Sequence, residues 1–153
     1  MSFEDKLTEL GITLPDPPKP EGTSLPAMRV GSYVYATGHL PLAGGEVKFQ
    51  GKLGREVPFE EGYEAAKVSA INCLAAIKSV LGSLESVEQV VKVVGYVNSA
   101  PGFVEQTKVV SGASDLVDKV FGSAGEAACS AVGVAELPVN SAVQVELIVK
   151  VKQ

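Results

Sequence analysis

Two rhythms of hydrophobic and polar positions run through the chain. Valine-rich runs at Tyr33–Thr37, Gln89–Val97, Cys129–Val134 and Val143–Val149, each bounded by Gly, Pro, Asn or Ser, read as β-strands. In the last of them Gln144, Glu146 and Lys150 fall on one side of the pleat, and Val143, Val145, Leu147 and Val149 on the other. Met28–Val30 joins Tyr33–Thr37 through Gly31-Ser32 as a tight hairpin, and Gly38 ends the second strand. From Pro58 to Leu81 the spacing becomes helical: Ala66, Ala70, Cys73, Leu74, Ile77 and Leu81 recur every three or four residues, and Gly82 closes the run. Ser83–Glu88 predicts a short helical turn capped by Ser83. Phe103–Phe121 predicts a second long helix, weakened midway at Gly112.

At the N-terminus Ser2 caps a short helix reaching Leu10, and the prolines between Leu14 and Pro20 force an extended arm. Residues 1–20 are therefore expected to form a helix and a Pro-rich arm, and residues 21–153 the domain proper. The order β-β, helix, β, helix, β-β defines an α+β fold in which two helices cover one face of a mixed sheet.

Composition sharpens this picture. A chain of 153 residues suits one domain, and 46% hydrophobic against 20% charged residues speaks for a packed globule. The strands are apolar on both sides, so the sheet face without helices needs a partner, and an oligomer is expected. A net charge of −5 supplies no global field for a polyanion, which argues against nucleic acid. No apolar run reaches the roughly 18 residues of a membrane span. The polar start Met1-Ser2-Phe3-Glu4-Asp5-Lys6 is unlike a secretory leader, and a cytoplasmic protein with free thiols is the expectation. One histidine and two cysteines, Cys73 and Cys129, make neither a disulfide framework nor a metal motif, and no nucleotide loop of the Gly-Lys-Ser/Thr kind is present, so neither metal nor cofactor is expected.

A carboxylate within so apolar a strand costs desolvation unless it has a partner or a wet cleft, which singles out Glu146. Its alternatives are a solvent-facing side chain and a site acid. Cys73, on the helical stripe, reads as a small core residue. Cys129 is either an inert buried thiol or a cleft residue. His39 is either a turn residue with a solvent-facing ring or a group that shapes a ligand.

Three ordered motifs carry a family resemblance. Ser130-Ala131-Val132-Gly133-Val134-Ala135-Glu136-Leu137-Pro138, followed by Val143-Gln144-Val145-Glu146-Leu147-Ile148, resembles the C-terminal signature of the reactive intermediate deaminase (RidA/YjgF) family. Tyr33-Val34-Tyr35-Ala36-Thr37-Gly38-His39-Leu40-Pro41 is similar to that family's first motif, and Val90–Val97 to its central strand. The likeness runs from about Gly31 to Lys152, and the N-terminal extension resembles a longer branch often called endoribonuclease L-PSP-like. It implies a chorismate-mutase-like fold and a homotrimer with a central barrel, whose clefts between subunits take a small molecule. It implies that Glu146 orients the hydrolytic water and that main-chain groups at Gly38 and Ala131 hold the ligand, with His39, Cys129 and Ser130 beside them.

One departure stands out. Where the family's imine deaminases carry an arginine that grips the substrate carboxylate, this chain has Cys129, and a neutral thiol cannot replace a bidentate guanidinium. Arg29 and Arg55, the only arginines, are the candidates to restore that clamp. Three functions follow from the resemblance: hydrolysis of an enamine or imine, small-molecule binding or sensing without turnover, and RNA cleavage, the last disfavoured by the acidic chain and single histidine.

Overall fold

The computed structural model describes residues 1–19 and 22–153. A hairpin of β1 (Ala27–Val30) and β2 (Tyr33–His39) opens the sheet, turning at Gly31 with φ 59°. A two-stranded flap of β3 (Leu42–Ala43) and β4 (Glu46–Val47) follows, absent from the sequence-based expectation. Then come α2 (Phe59–Leu81), β5 (Val87–Asn98), α3 (Gln106–Phe121), β6 (Ala128–Val134) and β7 (Val143–Val151), behind an N-terminal α1 (Phe3–Glu9). The main sheet has the order β1-β2-β7-β5-β6. β5 and β6 are parallel, which the α3 crossover makes possible, and the other neighbours are antiparallel. The fold is α+β, with a mixed sheet and both long helices on one face.

The last two strands, β6 and β7, do not pair with each other. They are consecutive in sequence but not in space, because β7 inserts between β2 and β5. The connection between them bends through Val139 and Asn140, both at positive φ. It is held by Asn98, which is fully buried at the end of β5: its Nδ2 donates to Ser141 O at 3.1 Å and Gly51 O at 3.3 Å, and its Oδ1 accepts from Lys52 Nζ at 2.7 Å. A buried amide satisfied on both sides fixes these loops to the sheet end.

Alternation along the strands divides the sheet cleanly. Val34, Ala36, Val93, Val97, Val145, Leu147 and Val149 face the helices and are buried. Gly95 belongs to this face: a Cβ there would lie 2.3 Å from the Val110 side chain on α3. Gly112 is not a weak point. Helix α3 runs through it without a break, and a Cβ at that position would lie 2.0 Å from the Tyr63 carbonyl oxygen of α2, so its lack of a side chain sets the helix–helix approach. The same helix starts at Gln106 rather than Phe103, and Phe103 packs over Gly54.

Helix α1 is capped by Ser2, as its sequence predicts, Asp5 completes a capping box by accepting from the Ser2 backbone, and the helix docks on the domain. Leu7 joins the core, the Phe3 ring meets Phe121 edge-on at 4.8 Å, and Glu4 pairs with Lys78 at 3.0 Å. The boundary expected between Pro20 and Glu21 falls on the two residues outside the described ones.

Candidate functional site

The face without helices carries the candidate site. Glu146 on β7 sits opposite Val94 of β5, and the diagonal neighbour Tyr96 donates its hydroxyl to Glu146 Oε1 at 2.7 Å. This bond, then burial and the nearby carboxylate charge, raises the Tyr96 phenol above its ordinary range, so it stays a proton donor at neutral pH. One carboxylate oxygen is thereby fixed. A cavity of about 520 Å³ opens beside it, lined by Glu146, Ile148, Tyr35, Met28, Thr37 and Ser24. Among the described residues along its wall, Glu146 is the only one that carries a formal charge.

A second cavity of about 330 Å³ is lined by Gly38 and His39, which follow Thr37 of the first along β2. The pairing of β2 with β7 shifts register between Ala36 and His39, and Gly38 sits in this irregularity. A Cβ on Gly38 would lie 2.1 Å from Gln144 Nε2, so the glycine lets the Gln144 amide lie against the backbone. Gly38 and Gln144 line the smaller cavity together with His39, Leu42, Val139 and Lys19 of the N-terminal arm.

The remaining expected site residues separate. Ser130 shares the Glu146 face, because both pair with Val94. Two strand spacings put their backbones roughly 10 Å apart. Cys129 and Ala131 pair with Val93 and Gly95, so they lie on the helix side, away from Glu146. Ala131 packs against the core. Cys129 is not a buried thiol: it is exposed on the edge strand, with its Sγ 3.5 Å from Ala127 O. Partial desolvation, reinforced by Asp118 against an opposing effect of Lys92, pushes its thiol up, which keeps it protonated and a weak nucleophile. Cys73 is fully buried, as expected of a core residue, and donates to Val145 O at 3.2 Å.

His39 departs from the solvent-facing turn expected of it. It is 4% exposed, at the end of β2 and opposite Val145, with Nε2 3.0 Å from Pro26 O. A carbonyl only accepts, so Nε2 carries the proton. Burial lowers the ring's pKa against the opposing effect of that bond, and the imidazole is neutral at pH 7.

Neither arginine reaches these cavities. Arg29 Nε donates to Gly31 O at 3.0 Å, and Arg55 is paired with Glu56. Among the described residues no three His, Cys, Asp or Glu side chains converge as a metal site, and no helix is long and apolar enough to cross a membrane. Sequence reasoning missed Tyr96, Gln144 and Lys19 as site residues. Tyr96 carried a signal, being the one aromatic residue on the central strand.

An α+β sheet backed by two helices, with a carboxylate-bearing open face, defines a chorismate-mutase-like protein. The family model described as "YjgF/chorismate mutase-like, putative endoribonuclease" matches residues 4–151, and the chain belongs to this YjgF (RidA, L-PSP) family. The chain is 38% identical to Protein TCP17 of Trypanosoma cruzi over 94% of this chain and 91% of that one. Among solved structures it resembles the protein Atu1372 of Agrobacterium tumefaciens, of unknown function, at 38% identity and TM-score 0.92, covering 98% and 92% of the two chains. It also resembles an endoribonuclease-like protein of Shewanella oneidensis at 30% identity and TM-score 0.96, covering 99% and 100%.

Proposed function

We propose that the protein takes a small metabolite on the open face of its sheet and hydrolyses an enamine- or imine-type intermediate there. The observation that carries this reading is the Tyr96–Glu146 hydrogen bond beside a cavity of about 520 Å³. Tyrosine holds one carboxylate oxygen and leaves the other to orient a water molecule. Water then adds to the C=N carbon, the C–N bond breaks, and a carbonyl compound and ammonia leave. The exposed side chains of Met28, Val30, Tyr33, Tyr35 and Val132 on the same face support assembly into a homotrimer, in which neighbours would wall the cavity. Sedimentation at three times the chain mass tests that assembly.

Binding without turnover is the second reading, and Cys129 favours it. The position at which the family resemblance implies an arginine holds an exposed, protonated thiol on the helix side. RNA cleavage finds less support: the one charged group among the described residues of the larger cavity is a carboxylate, which repels a phosphodiester. Ammonia release from 2-iminopropionate at catalytic protein concentrations separates turnover from binding. A rate no higher than that of buffer leaves the binding reading.

A further inference from the structure

The two cavities of the open face have opposite electrical character. Among the described residues, Glu146 is the charged residue lining the larger one and Lys19 the one formal charge lining the smaller, whose other described ionisable group, His39, is neutral. The rest of that lining consists of the Gln144 amide, glycine, and apolar residues such as Leu42, Val47 and Val139. A cation beside an amide in a cavity with apolar walls suits a small anion with an apolar body. Gln144 and Glu146 stand two residues apart on the same face of β7, roughly 7 Å at strand rise, so one small molecule can span both cavities.

We propose that Lys19, brought by the N-terminal arm, is the anion-recognition residue of this site, and that it selects ligands with an oxyanion at one end and the reacting group toward Glu146. This rests on the reading that the open face takes a small metabolite. It assigns the arm a role in specificity: α1, docked through Leu7 and Phe3, anchors the segment that carries the lysine. Lys19 is an exposed side chain outside the core, so its replacement leaves the fold intact.

Calorimetry with 2-oxobutanoate, propyl phosphate and uncharged butan-2-one on wild type, Lys19→Met and Lys19→Arg tests the assignment. Wild type should prefer at least one of the anions to butan-2-one by about tenfold, the worth of a partly solvated charge-assisted contact. Lys19→Met should abolish that preference, and Lys19→Arg should restore most of it. The anion that loses more affinity names the head group as carboxylate or phosphate. The assignment is overturned if Lys19→Met keeps the preference, or if wild type shows none. Glu146-dependent ammonia release is measured on the same samples: if it persists while the Lys19 effect is absent, only the lysine assignment falls. If both are absent, the site reading falls as well.

Discussion

The Tyr96 hydroxyl donates to Glu146 Oε1 at 2.7 Å across the β5–β7 pair, joining the central strand to the one carboxylate among the described residues of the larger open-face cavity. This bond fixes a flexible glutamate side chain in one orientation. Tyr96→Phe keeps the ring and removes the donor, so stability should change by no more than about 1 kcal/mol. The rate of imine hydrolysis should fall roughly tenfold, in kcat rather than KM, because water orientation and not ligand contact is lost. Steady-state kinetics on the two proteins check this. The same variant should also remove one of the two phenols that titrate above the ordinary range in an ultraviolet pH titration, leaving Tyr63, which its bond to Asp115 pushes up to about 12.

His39 gives the molecule a pH dependence of definite sign. Its folded pKa lies below the ordinary 6.5 because burial disfavours the imidazolium. In the window just below 6.5 the unfolded chain therefore binds more protons than the folded one. The stability from this group is complete above 6.5 and is lost as the pH falls through the folded value. As the chain has a single histidine, one ring resonance in a proton NMR titration reports the value directly. His39→Gln should flatten the dependence of urea stability on pH between about 7.5 and 5.

The two thiols should react differently. Cys129 is exposed with a raised pKa, and Cys73 is fully buried. Iodoacetamide at pH 8 should modify one thiol of the native protein, more slowly than an unperturbed cysteine in a peptide, and two after denaturation. Mass spectrometry of timed aliquots checks both statements.

Gly112→Ala separates local propensity from tertiary packing. On propensity alone, alanine should stabilise the α3 interior by about 1 kcal/mol. The added Cβ would lie 2.0 Å from the Tyr63 carbonyl oxygen, and helix backbones cannot yield cheaply there. A net destabilisation of about 1–3 kcal/mol in urea unfolding is expected.

Most of the fold was legible because strand and helix periods are local properties. The faces of β7, the α2 stripe, the Ser2 cap and the Gly82 stop all stand where alternation and capping chemistry put them. What stayed hidden depends on which strands become neighbours. Tyr96 meets Glu146 only because β7 lies beside β5, which no period within either segment encodes. His39 turned inward because the register shift after Ala36 carries it to the helix face, and a one-residue irregularity is invisible to a period-two pattern. Gly112 looks like a helix breaker until the second helix is seen against it. The motif containing Cys129 and Ser130 marked a real strand, yet alternation sends its two side chains to opposite faces. Lys19 gave no signal, because a proline-rich arm has no period to place it.

The most direct test is ammonia release from 2-iminopropionate by wild type and Glu146→Gln, compared at equal concentration and with thermal unfolding measured on both. Glutamine keeps the shape and can still accept from Tyr96, but it cannot serve as a base. Wild type should exceed the buffer rate, and Glu146→Gln should lose about 100-fold or more of that excess while its Tm stays within a few degrees. Equal rates in the two proteins, or a wild-type rate indistinguishable from buffer, would contradict a hydrolytic role for Glu146.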